Sequence, residues 1–401
     1  MRVLVLALGV PFPPIGGGLT RTFHLLKALA SRHDVSLAAF TYGEIHETPP
    51  YPVQVRAVPW QWSADYQRMI GADADAAHRT YGRLAHDVDE PWFASVMDPF
   101  AMEAAIADAL TDRPDLVLFE GTPLARFLSC IPDSVPRVVD FFDIHSVMAR
   151  DAANAPGAAD PALAREAERT LEFERRAVRA ASACLAVSEH DAAIARELLG
   201  ATSVTVIPNG VDTSYFTPSS LEPEGGGVVF TGRMSYPPNA EAASFFATKV
   251  MPLVRRDFPA ARFHVVGSAP PPEVYALTSD AVVVHGHVED VRPFLWRAEV
   301  VVAPIRSGGG TRLKVLEAAA CARAVVSTTL GAQGLPFVAG HDIEIADDPV
   351  AFATAVVTLL RDAHHRTRLA GHARITAEQF DWEDIGDAFN ATIDRLVSGR
   401  G

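Results

Sequence analysis

Residues 301–335 read VVAPIRSGGGTRLKVLEAAACARAVVSTTLGAQGL, and the order of apolar runs and glycines in them decides the fold around them. The run from Val300 to Pro304 has the length and composition of a buried strand. Three glycines, Gly308 to Gly310, follow it, and Thr311 to Cys321 places Leu313, Leu316 and Ala320 at helical spacing. A second apolar run, Ala324 to Ser327, reads as the next strand. Strand, glycine loop, helix and strand in that order make a βαβ unit, whose loop turns backbone N–H groups toward the helix N-terminus, where an anion is favoured. Arg312 and Lys314 add positive charge there, and Glu317 lies about a turn and a half into the helix. Donors for a phosphate beside one carboxylate that accepts from sugar hydroxyls is the pairing a nucleotide sugar requires.

The same rhythm extends outward in both directions. Upstream, VVFTG from Val228, Arg262 to Gly267 and Val282 to His285 read as strands, separated by helices over Ala240 to Leu253 and Val291 to Ala298. Downstream, Ile343 to Ala346 reads as a strand, and Pro349 to Leu360, His364 to Glu378 and Phe380 to Val397 read as helices. The run Thr217 to Gly227 is rich in Pro, Ser, Glu and Gly and is the best linker in the chain. Before it lies another α/β set. Met1 to Gly9 is a continuous apolar run of the kind found in parallel sheets, and PFPPIGGG leads into an amphipathic helix over Leu19 to Ser31. Strands follow at Val35 to Thr41, Gln54 to Pro59, Leu116 to Phe119, Val138 to Phe142, Ala183 to Val187 and Val204 to Pro208. Arg165 to Ala181 is a charged helix, and Ser188 is placed to cap a helix beginning near Glu189. Gly16, Gly17 and Gly18 stand where the first strand meets its helix, the end of a parallel sheet at which ligands bind, although a tight turn needs glycine as well. They do not form GxGxxG.

Composition agrees with an ordered globular protein of more than one domain. The chain has 401 residues, 49% of them hydrophobic and 21% charged, against about 150 residues for one domain. No apolar run reaches the ~18 residues of a spanning helix, and the apolar N-terminus runs directly into PFPP, which fits a first strand better than a signal peptide. Cys130, Cys184 and Cys321 are odd in number and far apart, so they read as core residues in a reducing compartment, the cytoplasm. The net charge of −14 excludes a general nucleic-acid surface. Tyr51 to Arg150 holds eight Arg against fifteen Asp or Glu, a net of −7, which disfavours adhesion to anionic lipid by charge. That leaves at most a weak peripheral contact at the inner membrane face, of apolar character. Trp60, Trp62, Trp92, Phe93 and Phe100 in this region read as helix packing, with an acceptor wall as the alternative.

Several motifs together carry a resemblance: IGGGLTR near the N-terminus, VIPNGVD, FTGRM followed by PPNAEAA, PPPEV, and GHVEDVRPFLWRAEVVVAPIRSGGGTRLKVLEAAACARAVVST. The chain resembles the GT-B retaining glycosyltransferases of family 4 (group 1) from Met1 to about Val397, most specifically in its C-terminal half. The resemblance implies two Rossmann-like domains facing across a cleft. Residues 1–215 would form the acceptor domain, 216–380 the domain for the nucleoside diphosphate sugar, and 381–401 a helix crossing back to the first. It implies transfer of a sugar from a UDP- or GDP-linked donor to an acceptor hydroxyl of a polysaccharide, glycolipid or natural product, with no cofactor and no bound metal. It implies that Glu317 accepts from the ribose hydroxyls, that Arg233 and either Lys314 or Arg312 meet the diphosphate, and that Gly16 and Gly17 approach the transferred sugar phosphate. Ser307, Gly308, Gly309, Gly310, Thr311 and Val315 complete the donor loop and helix, and Val288 in the GHVEDV turn lies near the base. Arg21 and Asp143 are candidates for the acceptor. His145, in DFFDIHSVM, is the candidate for a histidine close to the transferred sugar, although the family's HNVES form aligns its histidine with Phe142. Asp140, Asp143 and Glu120 stand at neighbouring strand ends, where either a sugar hydroxyl or a helix cap is the partner.

Two departures from the pattern stand out. The family's usual Glu, seven residues, Glu spacing places its first glutamate at Gly309, so backbone N–H groups of Ser307 to Gly310 would have to hold the sugar, as in a GGGTRLKVLEA branch. The lysine common after the GR motif is missing where Pro237, Pro238 and Asn239 stand. Alternatives of other classes are a GT-B nucleotide-sugar epimerase or phosphorylase, and a non-catalytic nucleotide-sugar-binding subunit. No CxxC or HExxH is present, and Asp73-Ala74-Asp75, a DxD by its letters, reads as solvated helix surface.

Overall fold

The computed structural model describes residues 1–41, 47–63, 90–154, 160–221 and 223–398. The chain divides into two units, Met1–Pro208 with Gly386–Gly401, and Asn209–Ile385.

The first unit is built on a seven-stranded sheet. Its strands are β1 (Arg2–Ala7), β2 (Asp34–Thr41), β3 (Gln54–Pro59), β4 (Leu116–Glu120), β5 (Arg137–Phe141), β6 (Ala183–Ala186) and β7 (Val204–Val206), in the spatial order β3-β2-β1-β4-β5-β6-β7. All its ladders are parallel. Strands covered on both faces must be apolar throughout, which is why VLVLA in β1 and LVLF in β4 are entirely buried. Leu4, Leu6, Phe40, Phe119, Phe127 and Phe141 are central to the core. The strand order reverses between β1 and β4, and loops that diverge there leave room for a ligand at the strands' carboxyl ends. Gly16–Gly18 follow β1, Glu120 and Gly121 close β4, and Asp140 to His145 follow through the end of β5. Ser188 caps its helix as expected, its Oγ accepting from the Asp191 N–H at 3.1 Å.

The second unit is a six-stranded parallel sheet: β8 (Gly227–Thr231), β9 (Arg262–Val266), β10 (Val282–Gly286), β11 (Val300–Ala303), β12 (Ala324–Ser327) and β13 (Glu344–Ile345), ordered β10-β9-β8-β11-β12-β13. Here the order reverses between β8 and β11. Gly232 and Arg233 follow β8, and the Gly308–Gly310 loop follows β11 and leads into the helix Leu313–Ala320. The stretch read first in the sequence therefore occupies the switch point of this sheet.

The helix expected from Ala240 to Leu253 is Pro237–Phe245, one π-helical turn over Phe246–Val250, and Met251–Asp257. Pro252 has no N–H and its ring crowds the carbonyl four residues back, so the helix widens before it. The boundary between units falls before Asn209, ahead of the linker composition. The cause is that NGVDTSYF is fastened to the second unit: the Val211 N–H donates to Phe380 O at 2.9 Å, and Arg374 Nη1 donates to Phe216 O at 2.9 Å. The last helix, Trp382–Ser398, changes unit at Gly386. A Cβ at Gly386 would lie 2.8 Å from the Ala28 Cβ, and Asn390 Nδ2 donates to Ala28 O at 2.8 Å, so that helix packs on the Gly17–Ala30 helix.

Trp92 and Phe93, in the helix Trp92–Ser95, pack half-buried against the first unit's core, and so do Trp60 and Trp62, which stand outside any helix, while Phe100 is 75% exposed. Asp73 and Asp75 lie outside the described residues. Cys184 and Cys321 are buried, Cys130 is half-buried, and all three are free. Among the described residues no helix is long and apolar enough to cross a membrane.

Candidate functional site

In the second unit the donor candidates gather at the β8/β11 switch point. Lys314, in the first turn of the helix Leu313–Ala320, donates from Nζ to Asn239 Oδ1 at 2.7 Å and lies 4.2 Å from the centroid of the Phe230 ring. Asn239 is buried and donates from Nδ2 to Arg233 O at 2.9 Å, so one amide ties together the positions of both cationic residues. The ammonium fits because Gly232 has no side chain: a Cβ there would lie 2.8 Å from Lys314 Nζ and 2.9 Å from Asn239 Nδ2. Gly232→Ala is therefore expected to displace Lys314 and weaken nucleotide binding by about tenfold, the scale of one charge-assisted hydrogen bond, and also to lower the melting temperature, because Gly232 has φ +154. Titration calorimetry and thermal unfolding check the two halves of that statement. Arg233 is exposed and donates from Nε to Ser235 Oγ at 2.9 Å, leaving its two terminal nitrogens without a hydrogen bond among the described residues.

Glu317 faces Lys314 from one turn further along the helix, the i, i+3 spacing that puts two side chains side by side. Its carboxylate makes no hydrogen bond to any described residue. Both side chains keep some exposure, yet protein crowds them on every other side, and burial is the leading influence on each. Burial pushes the Glu317 carboxyl up to about 7, with Lys314 opposing. Burial likewise pushes the Lys314 ammonium down to about 7, with Arg312 adding to the effect and Glu317 opposing it. A carboxylate that is partly desolvated and unpaired inside a fold is poised for a ligand's donors.

The loop itself is held from beneath. Arg312 turns back over it, donating from Nη2 to Gly308 O at 2.9 Å and from Nη1 to Gly310 O at 2.5 Å and to Gly309 O. Arg312 thus closes the loop on itself. Gly308 has φ +97, and a Cβ there would meet Tyr236 Oη at 2.9 Å. Thr311 Oγ1 accepts from Asn209 Nδ2 at 2.8 Å, and Ser307 Oγ donates to Glu241 Oε2 at 2.7 Å. Val288 and Val315 belong to one apolar cluster.

In the first unit, Gly16 has φ +91 and precedes the helix Gly17–Ala30, with open space where a Cβ would stand. Arg21, expected at the acceptor, is a correction. It is fully buried, donates from Nε and Nη2 to the two Asp140 oxygens at 2.6 and 3.0 Å, and from Nη1 to Pro208 O at 3.1 Å. The reason is electrostatic. Asp140 and Glu120 end adjacent strands in register, and two carboxyls buried side by side need a cation. Burial, then Asp140, pushes the Glu120 carboxyl above the usual carboxylate range, and its Oε2 accepts from Thr22 Oγ1 at 3.3 Å.

His145 opens the helix His145–Ala153. Its N–H and that of Ser146 donate to the two oxygens of the buried Glu174 at 2.8 and 3.1 Å, a helix cap contributed by the neighbouring helix Pro161–Ala180. The imidazole lies 4.5 Å from the Phe93 ring, its Nδ1 has no hydrogen-bond partner among the described residues, and burial lowers its pKa to about 4, so it is neutral at pH 7. Asp143 stands two residues earlier, where its carbonyl accepts from Thr122 Oγ1 at 3.3 Å. Sequence reading missed Glu174 and the bridging role of Asn239. Asn239 drew attention only as the place where a lysine is missing.

Comparison with known proteins agrees with this architecture. Residues 225–362 match the family profile described as glycosyl transferases group 1, and residues 15–215, half of the chain, match the profile of glycosyltransferase family 4. A D-inositol 3-phosphate glycosyltransferase of Xylanimonas cellulosilytica is 30% identical over 241 residues, 54% of this chain and 57% of that protein. A phosphatidylinositol N-acetylglucosaminyltransferase component of Arabidopsis thaliana is 26% identical over 237 residues, 53% of this chain and 49% of that protein. The chain spans about half the length of the curated relatives it matches. Among solved structures, the sucrose-phosphate synthase of Thermosynechococcus elongatus superposes with a TM-score of 0.76 at 16% identity, covering 100% of both chains. Anabaena Alr3699/HepE in complex with UDP-glucose superposes with a TM-score of 0.65 at 16% identity, covering 98% of this chain and 99% of that one. With two parallel-sheet units of seven and six strands, and with family profiles over both, the chain belongs to the GT-B glycosyltransferases of family 4 (group 1).

Proposed function

We propose that the protein transfers a sugar from a nucleoside diphosphate sugar, UDP- or GDP-linked, to an acceptor hydroxyl with retention of configuration. The observation that supports this best is the convergence at the second unit's switch point of Arg233, the Lys314–Asn239 pair and the unpartnered Glu317 carboxylate. Glu317 accepts from the ribose hydroxyls, and Arg233 and Lys314 meet the diphosphate. The first-turn N–H groups of Leu313–Ala320, which the side chain of the preceding Arg312 does not cap, favour the negative charge that develops on the leaving group. The bond from the anomeric carbon to the phosphate oxygen breaks, a bond to the acceptor oxygen forms on the same face of the sugar, and the acceptor's proton passes to the donor's β-phosphate oxygen. The first unit carries the acceptor, with Gly16, Gly17, Asp143 and a neutral His145 near the transferred sugar, His145 acting as a hydrogen-bond partner and not as a cation. The reaction requires no metal or cofactor, and the protein works in the cytoplasm.

The reading has a pH signature. The cluster binds best when Glu317 is ionised and Lys314 is protonated, and both groups sit at about 7 in the free protein. Below that value Glu317 takes up a proton and loses its capacity as an acceptor of two hydroxyls; above it Lys314 loses its charge. Nucleotide affinity is therefore expected to peak near neutrality and to fall on both sides, with Glu317→Gln removing the acid limb and moving the alkaline limb, set by Lys314, to lower pH. Calorimetric dissociation constants from pH 5.5 to 8.5 check this. The activity itself is tested by nucleoside diphosphate release from UDP- and GDP-sugars over an acceptor panel, with the anomeric configuration of the product read by NMR. Binding without turnover on every acceptor favours a non-catalytic binding protein.

A further inference from the structure

A pyranose presents hydroxyls that both donate and accept, so a loop that holds one must offer acceptors as well as N–H donors. The Gly308–Gly310 loop has no side chains, and its three carbonyl oxygens are already turned to Arg312. The acceptor must come from outside the loop. The loop lies along the helix Pro237–Phe245: a Cβ on Gly308 would meet Tyr236 Oη at 2.9 Å and Pro238 Cγ at 3.0 Å, and Arg306 stacks 4.7 Å above the Phe245 ring. Glu241 stands between these contacts. It is exposed, its Oε2 accepts from Ser307 Oγ at 2.7 Å, and its other oxygen makes no hydrogen bond to any described residue.

We propose that Glu241 supplies the carboxylate that this loop lacks, accepting from a hydroxyl of the donor's sugar, and that it selects neutral or amino sugars against uronic acids. Ser307 orients the carboxylate by holding one oxygen, and the other faces the ligand. A uronic acid would bring a second carboxylate against the first and be repelled. This rests on the donor site proposed above, and it separates from that proposal because Glu241 concerns the sugar while Glu317 concerns the nucleoside.

The test is competitive binding of UDP, UDP-glucose and UDP-glucuronate, or of GDP, GDP-mannose and GDP-mannuronate, to wild type, Glu241→Ala, Glu241→Gln and Ser307→Ala. In Glu241→Ala the free nucleotide is expected to bind within about twofold of wild type, while the neutral sugar nucleotide loses about tenfold, one hydrogen bond to a charged group. Glu241→Gln is expected to narrow the preference for the neutral sugar over the uronate. Ser307→Ala, which frees the carboxylate without removing it, is expected to lose less than Glu241→Ala. Equal losses for nucleotide and sugar nucleotide would make Glu241 a loop anchor only and overturn the proposal, as would unchanged affinities throughout. If wild type binds neither UDP nor GDP, the donor site itself is wrong, a failure distinct from either of these.

Discussion

Replacing Glu317 by alanine is expected to weaken the binding of nucleoside diphosphates and their sugars by roughly 10- to 100-fold, one or two hydrogen bonds to a charged acceptor. Two effects act together. The ribose hydroxyls lose their acceptor, and Lys314 loses the negative charge that supports its protonated form, so at neutral pH more of it stands neutral before the diphosphate. The same substitution removes an unpartnered, partly desolvated carboxylate, so the melting temperature of the free variant should be no lower than that of wild type. Loss of binding without loss of stability is the mark of a group kept for a ligand. Unchanged nucleotide affinity, measured by calorimetry, would remove Glu317 from the site.

Arg21→Met should have the second large effect, on the fold. Arg21 and Asp140 are fully buried and bonded in two places, and removing one partner of a buried ion pair costs about 3–5 kcal/mol because the other charge is left uncompensated. Here the orphaned Asp140 would also face Glu120 across the sheet. Thermal or denaturant unfolding of the first unit's transition reads the loss. Adding Asp140→Asn in the same chain should recover part of it, since the residual charge is gone. A double variant no more stable than Arg21→Met would assign the effect to packing alone.

The alternation of strands and helices was legible because a strand covered on both faces must be a continuous apolar run, as Ala324–Ser327 is, whereas the edge strand Gln54–Pro59 is largely exposed and tolerates Gln54 and Arg56. Glu317, Lys314 and Arg233 were legible because a strand end and a helix start fix where a side chain one turn away must stand. What stayed hidden depends on partners distant in the chain. Arg21 follows a glycine loop and looked free for a ligand, but its partner Asp140 is 119 residues away and is brought to it only by the β4/β5 register. Asn239 and Glu241 meet Lys314 and Ser307 across the β8/β11 switch point, 75 and 66 residues apart in the chain. The division ahead of Asn209 follows the hydrogen bonds that fasten Asn209 to Phe216 to the second unit, which proline and glycine content, a mark of irregular backbone, does not register.

The most direct measurement of the central claim is a thermal-shift series over UDP, GDP, ADP and TDP and their sugars. A ligand that binds only the folded state raises the melting temperature with its concentration. The donor site built on Arg233, Lys314 and Glu317 predicts that at least one of these nucleoside diphosphates raises it for wild type in a dose-dependent way and that Glu317→Ala abolishes the response. No rise with any of them, or an undiminished rise in Glu317→Ala, would contradict it.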